Sequence, residues 1–400
     1  MTSWRKTDPE TTYQVIRENL SAFGLKRLVD ITGLDVTGIP VYLCIRPRGR
    51  CLSVSAGKGI THLDSMISAL MESIEIDVAE NVNPSEAISL AYNQLPLSAR
   101  IPSELMPAIS TSPRKGDTPS QWVKGLSLDT ESLFYLPWEC ITMDAESLFR
   151  GLVSFAWGTN GLASALNRPE AILSGLYEVI ERDSVACWSH YTKIKPTARM
   201  FSIALASIPF SSSINLINRI TSAGLNLFLI QLHNELDLPV FKCHLLNGID
   251  PGKSTASGYG CHHNTEIAIN RAITEAAQGR TCFIAGSRED ILTTRFRGID
   301  YGTAYNYFSN FIEEALIVTE SSGMSTLTAL QSLIKRFAAL GWHQPIIYDY
   351  PGSDPFKVVK VVCPSLSPIS FSGMSLSHPR PSSFCPPTTR FQEFCHSLSL

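Results

Sequence analysis

Three stretches of the chain set glutamates among small and aliphatic residues at helical spacing. The first reads Ser68-Ala-Leu-Met-Glu72-Ser-Ile-Glu75. The second reads Ser174-Gly-Leu-Tyr-Glu178-Val-Ile-Glu181-Arg182, and the third Arg271-Ala-Ile-Thr-Glu275-Ala-Ala-Gln278. On a helix, positions i, i+3 and i+4 share a face. Glu72 then lies beside Ser68 and Glu75, Glu178 beside Glu181 and Arg182, and Glu275 beside Arg271 and Gln278. Taken singly, each stretch also fits an amphipathic helix with a boundary glutamate and an ordinary i, i+4 pair. A carboxylate embedded in apolar sequence, however, must be paired, metal-bound or neutralised. Acids from three helices can converge on Mg²⁺, which takes oxygen ligands and bridges carboxylates to nucleotide phosphates. Arginines beside them suit phosphate, as planar bidentate donors.

The elements that would position these residues follow from periodicity and punctuation. The spacing predicts helices over residues 9–23, 63–80, 169 to about 188, and 265 to about 281, with Pro169 in a first turn, where proline fits. Alternating or apolar runs at 28–32, 40–45 and 52–55, between glycines and prolines, read as strands. Gly57-Lys58-Gly59 reads as a turn entering the first acidic helix, with Lys58 as a phosphate neighbour; it lacks the spacing of a Walker loop. Residues 113–144 read as strands and loops around Trp122 and Trp138. Short elements follow at 225–232 and 240–246, and late strands at 345–350 and 358–362. The expected fold is α+β, with mixed or antiparallel sheets covered by the three acidic helices. Residues 1–365 form the body. Residues 366–400 form a Ser/Pro-rich tail expected to be irregular, with isolated Phe and Cys residues as anchors.

Composition bounds the function. Of 400 residues, 44% are hydrophobic and 17% charged, which suits a globular chain with a sizeable core. The net charge of −3 argues against a general nucleic-acid binder, which needs a basic surface. No apolar run is long enough to span a bilayer, and residues 1–10 are too polar for a secretory signal, so the expected location is cytoplasmic. The ten cysteines are scattered without a C-x-x-C pair, which leaves no compact zinc motif and predicts reduced, mostly buried thiols.

Longer motifs carry a resemblance. Asn160-Gly-Leu-Ala-Ser164, followed by Glu170-Ala-Ile-Leu173 and Glu178-Val-Ile-Glu181-Arg182-Asp183, resembles the signature of YcaO proteins. So do Gly57-Lys-Gly-Ile-Thr61 leading into Ser68–Glu72, and Cys261-His262 leading into Glu266, Arg271, Glu275 and Gln278, then Gly286-Ser-Arg288-Glu289-Asp290. Thr32-Gly-Leu-Asp35 with Gly38-Ile-Pro-Val41 is similar to the branch often encoded beside TfuA-like proteins. The resemblance covers roughly residues 5 to 365.

It implies an enzyme that uses ATP and Mg²⁺ to phosphorylate the oxygen of a peptide backbone amide. A nucleophile then attacks the activated carbon: sulfide in thioamide formation, a Cys, Ser or Thr side chain in azoline formation, an amine in amidine formation. Matched position by position, Ser68, Glu72 and Glu75 fall in the first motif, Glu170, Glu178, Glu181 and Arg182 in the second, Glu275 and Gln278 in the third. Glu72, Glu178, Glu181 and Glu275 are the expected metal-facing acids. Arg182 is expected on phosphate, with Gln278, Ser68, Glu75 and Glu170 near the nucleotide. Lys6 lies where the family carries a basic nucleotide contact, although a solvated lysine is its ordinary reading.

Two departures bear on the chemistry. Ala165-Leu166 stands where members often have Gly-Asn, leaving Asn167 as the replacement contact. The Pro-x-Pro-x-Pro ending of the azoline branch is reduced to His378-Pro-Arg-Pro381. The altered ending favours thioamide formation on a ribosomally made peptide or protein over azoline formation, while Leu166 and the tail point toward the remaining alternative, a non-catalytic nucleotide- or peptide-binding accessory. The resemblance also implies a precursor peptide substrate, a TfuA-like or E1-like partner, and a homodimer. The His262-His263 pair reads as structural, Cys261 as buried and inert, and Arg288, Glu289 and Asp290 as a turn and helix start.

Overall fold

The computed structural model describes residues 5–106, 108–109, 116–145, 154–155, 157–195, 200–247, 255–287, 301–318, 323–367 and 376–384. Helix α1 (Pro9–Asn19) starts on Asp8, whose carboxylate accepts the Thr11 N–H. It stops short of residue 23 because the chain turns there, with Gly24 at φ 65°. Strands β1 (Arg27–Asp30), β2 (Val41–Ile45) and β3 (Val54–Lys58) then form an antiparallel sheet in that order, followed by α2 (His62–Glu80). The turn expected at Gly57-Lys58 is therefore the end of a strand. Its glycine serves close packing: a Cβ on Gly57 would stand 2.1 Å from the Ser65 carbonyl oxygen and 2.2 Å from the Ala69 nitrogen, both on α2.

Next come β4 (Ile88–Ala91), β5 (Ala108–Ile109), β6 (Pro119–Ser127), β7 (Leu133–Pro137) and β8 (Leu162–Ala165), then the long α3 (Arg168–Ile194). After β9 (Phe201–Ile203) and α4 (Ser211–Ser222), strands β10 (Leu225–Gln231), β11 (Val240–Asn247) and β12 (Thr255–Cys261) form a second antiparallel three-stranded sheet, followed by α5 (Thr265–Ala285). The remainder is α6 (Tyr301–Ser309), β13 (Ile312–Glu314), α7 (Thr326–Ala339), β14 (Ile346–Asp349), β15 (Lys357–Val362), β16 (Leu376–Ser377) and α8 (Arg380–Ser383). Both α3 and α5 outrun their expected C-terminal ends, and α5 stops at Gly286 in the left-handed region.

The central sheet runs β4-β6-β14-β15-β8, with β7 added on β6, and all its pairings are antiparallel. Alternation along its strands builds two cores. Ile346, Tyr348 and Val358 pack with Ile67, Leu70 and Ile74 of α2, whereas Ile347, Val359 and Val361 pack with Ile172, Leu176 and Ile180 of α3. A third core sets Leu227, Phe241 and Leu245 of the β10–β12 sheet against Ile269 and Ile273 of α5 and Leu216 and Ile220 of α4. This is the α+β architecture the sequence predicts.

The described part of the tail packs on the C-terminal half of α3. Arg380 pairs with Asp183 at 3.1 Å and with Glu235 at 2.5 Å, over the Trp342 ring. Phe384 lies against Trp188 and Tyr191. Among the described residues, all eight cysteines are free thiols, and all but Cys51 are buried.

Candidate active site

Each acidic helix follows a strand and a capping residue that fixes its first turn. Thr61 caps α2 and exchanges bonds with Asp64 in a capping box; Asn167 and Asn264 accept the Glu170 and Ile267 N–H groups on α3 and α5. Glu72, Glu178 and Glu275 each stand eleven residues after their cap. Eleven residues is about three turns, so each glutamate projects on nearly the same side as its capping residue. Glu75, Glu181 and Gln278 repeat the pattern one turn further on. Glycines let strand and helix close up. On β12, a Cβ at Gly258 would stand 2.1 Å from the Ala276 nitrogen and 2.3 Å from the Ala272 oxygen, both on α5.

The acids of the three helices meet. Glu72 accepts the Ala56 N–H at 3.1 Å, while Gln278 donates to the Ala56 carbonyl at 2.6 Å, so β3 is held from α2 and α5 at one residue. Glu75 accepts the Ser164 hydroxyl at 2.7 Å, which joins α2 to β8. Glu275 pairs with Lys58. Arg182 stands 3.5 Å from Glu181 and 3.9 Å from Glu275, and its guanidinium lies over the Tyr259 ring.

The electrostatics match a crowd of carboxylates. Burial pushes Glu75 up to about 8, against the Ser164 bond, and the charges of Glu178 and Glu72 raise it further. Burial pushes Glu178 up to about 7, with Arg182 and Lys360 opposing and Glu181 and Glu275 adding. Glu181 is likewise raised by burial against the pull of Arg182. Glu275 is the exception: burial works against its charge, but Lys58 and Arg182 outweigh it and its pKa falls.

Several contributors have no distinctive sequence signal. Lys360 sits in the apolar run of β15, where it reads as one polar residue of a strand. Burial lowers its pKa to about 8, it donates to the Gly158 carbonyl at 2.5 Å, and it faces Glu178. The Lys6 side chain is exposed, and only its backbone N–H reaches inward, to Glu170 at 2.8 Å. The basic side chain turned toward Glu170 and Glu75 is that of its neighbour Arg5. Arg271, one turn before Glu275, faces Glu181 and Glu275.

Ser68 lies one turn before Glu72, partly buried. Asn167 spends its carbonyl oxygen on the helix cap. His262 and His263 stack at 4.2 Å, and His263 bonds the Tyr177 hydroxyl, a packed arrangement in keeping with the structural reading. Arg288, Glu289 and Asp290 lie outside the described residues.

Among the described residues, no three His, Cys, Asp or Glu side chains are gathered at metal-binding distance. Mg²⁺ commonly keeps several waters and takes one or two carboxylates plus phosphate oxygens rather than an all-protein cage. Glu181 Oε2 and Arg182 Nε are buried without a hydrogen-bond partner. An unsatisfied carboxylate oxygen and guanidinium nitrogen side by side fit a cation and an anionic group respectively.

Comparison with known proteins identifies the family and the fold. The model of a family described as YcaO cyclodehydratase, ATP- and Mg²⁺-binding, matches residues 56–367. A protein of Rhizobium leguminosarum bv. trifolii in the tfuA 3′ region is 29% identical over 391 residues, covering 92% of this chain and 90% of the relative. YcaO from Methanopyrus kandleri, solved with AMPPCP and Mg²⁺, superposes with a TM-score of 0.69 at 21% identity, over 91% of this chain and 92% of that one. A heterocyclase solved with substrate and cofactor superposes with a TM-score of 0.72 at 19% identity, and there this chain spans 53% of the longer protein. Among the described residues, no helix is long and apolar enough to cross a membrane.

Proposed function

The chain belongs to the YcaO family, whose members are ATP- and Mg²⁺-binding, and from that premise we propose that it activates a peptide backbone amide for thioamide formation. The observation that carries the reading is the cluster of partly buried Glu72, Glu75, Glu178 and Glu275 around buried Glu181, whose Oε2 is unsatisfied. Burial and the charge of neighbouring carboxylates work against ionisation of Glu75 and Glu178, so the site calls for compensating positive charge.

Glu72, Glu178, Glu181 and Glu275 would face Mg²⁺, one or two of them binding each ion directly and the others through water, and Arg182 would meet phosphate, with Arg271 and Arg5 on the same basic rim. Bound ATP supplies the phosphoryl group that turns the amide oxygen into a leaving group. Amide resonance makes the unactivated carbon a poor electrophile, so this is the step that needs help. The chain's own residues position and stabilise charge, which is what phosphoryl transfer chiefly asks of a protein. Lys58 and Arg182 keep Glu275 ionised, while Gln278 and Glu72 fix β3 against both helices.

The tfuA-region relative supports sulfide as the nucleophile, and a TfuA-like partner as its supplier. The heterocyclase likeness supports azoline formation as the second reading. The test is mass spectrometry of a candidate precursor peptide incubated with the protein, its genomic partner, ATP, Mg²⁺ and sulfide. Exchange of one oxygen for sulfur is the expected result. Loss of water without sulfur gain would assign azoline chemistry instead. An unchanged peptide, with ATP also untouched, would sink amide activation.

A further inference from the structure

Beyond Arg182, the face of the β10–β12 sheet turned away from α5 carries a row of polar groups that the acidic cluster does not use. Tyr259 on β12 has the Arg182 guanidinium 5.6 Å from its ring centre and the Lys242 ammonium 5.7 Å from it. Lys242 is the direct cross-strand partner of Tyr259, and two residues along on the same face His244 pairs with Ser257.

Lys242 is half-buried, and no described carboxylate pairs with it; burial alone lowers its pKa. His244 is buried at 7% exposure, and its Nδ1 lies 2.8 Å from the Ser257 hydroxyl. Its Nε2 is buried without a hydrogen-bond partner. The ring packs 4.3 Å from Phe308 of α6, which walls the row on its far side. Facing this row are Arg182 from α3 and the aromatic rings of α6. Of the acids around Arg182, Glu181 and Glu275 are held by Arg182 and Lys58.

A half-buried ammonium without an acid, next to an unsatisfied buried imidazole nitrogen, is costly in an isolated protein. We infer that Lys242 and His244 form a binding site for one negatively charged group of the second substrate, beside the phosphate-facing Arg182. The assignment to the second substrate rests on the amide-activation reading. The site itself is a matter of charge and hydrogen bonding alone. Two sources carry that charge: the hydrosulfide ion as nucleophile, or a carboxylate of the peptide.

The experiment uses the full chain labelled with ¹³C at the lysine ε-carbon, and follows the Lys242 resonance, assigned with Lys242→Arg, through separate titrations with sodium hydrosulfide, sodium acetate and sodium chloride. Nucleotide affinity is measured on the same samples, so a failure of nucleotide binding is read apart from a failure of this site. The expected result is a saturable shift of Lys242 that exposed Lys26 and Lys124 do not share, with a midpoint at least tenfold weaker in both His244→Ala and His244→Gln. Saturation by hydrosulfide assigns the nucleophile, and saturation by acetate assigns a peptide carboxylate. A response to chloride equal to the other two, a shift shared with Lys26 and Lys124, or no saturable shift at all would overturn the proposal.

Discussion

Lys58 at the end of β3 reaches across to Glu275 on α5, 217 residues away in sequence, and joins the first sheet to the third acidic helix. Both side chains are about four-fifths buried. The pair does two things at once. It holds the N-terminal α/β unit against the later one, and it keeps Glu275 ionised while Glu178 beside it, and Glu75 beyond Glu178, are pushed toward protonation.

Lys58→Met leaves Glu275 without its closest cation. A charge-assisted hydrogen bond of this kind contributes about 1.5–3 kcal/mol. Urea unfolding should show a loss in that range, and titration calorimetry should show nucleotide affinity at least tenfold weaker. Unchanged affinity would mean that the pair serves only the fold.

Glu178→Gln removes a charge from a crowded, buried position. ATP hydrolysis should fall at least a hundredfold, as expected when a group that stabilises transition-state charge is lost. Thermal stability should stay level or rise, because burial and like charges already work against the carboxylate in the free protein. A variant that both melts earlier and keeps hydrolysing ATP would assign Glu178 to packing.

The pH dependence of stability follows from Glu178 at about 7 and Glu75 at about 8, against an ordinary value of 4.5. Between 4.5 and these values the folded protein binds more protons than the unfolded chain. As far as these two groups decide it, stability without Mg²⁺ should therefore be full below about pH 4.5 and fall as pH rises to about 8. Mg²⁺ with a non-hydrolysable nucleotide should oppose that loss, so its stabilising shift in melting temperature should be larger at pH 8 than at pH 6. Melting curves at both pH values, with and without Mg²⁺–nucleotide, test this directly.

Arg380→Ala leaves Asp183 buried without its cation. Breaking a buried pair in this way costs about 3–5 kcal/mol. Chemical denaturation should show a loss of that size. Asp183→Asn combined with Arg380→Met should recover part of it, because neither buried charge is then left alone.

Gly57→Ala sets a methyl group against the backbone of α2. Overpacking of this kind costs about 1–3 kcal/mol or more when backbone must move. Since the displaced helix carries Glu72 and Glu75, nucleotide affinity should fall more than stability does. Equal melting and binding curves for Gly57→Ala and the parent would show that helix and strand can part without disturbing the site.

The acidic helices were legible in the sequence because their signal is local. Apolar residues at helical spacing, a capping residue and glutamates on one face all lie within about twenty positions. What stayed hidden depends on partners far away. Lys360 looks like a polar residue of an ordinary strand until α3 is laid across it. Arg5 and Lys6 are indistinguishable by type, and only the path of the chain decides which one turns inward. Gly57 carries the signal of a turn, which glycine most often marks, whereas here it lets a helix approach. Arg380, in a segment rich in Ser and Pro, gave no sign that Asp183 and Glu235 were waiting for its charge.

The constant distance from cap to glutamate in all three helices makes the chain length between them part of the site. Adding or deleting one residue inside that stretch would swing the glutamate by about 100° around its helix axis and carry it out of the cluster. The same change in the turn before Ser211 or after Ala339 would merely lengthen or shorten a connection. Across descendants of this sequence, gaps should accumulate freely in the connections and be absent from three short windows, 61–75, 167–181 and 264–278, whatever happens to the identity of the residues between.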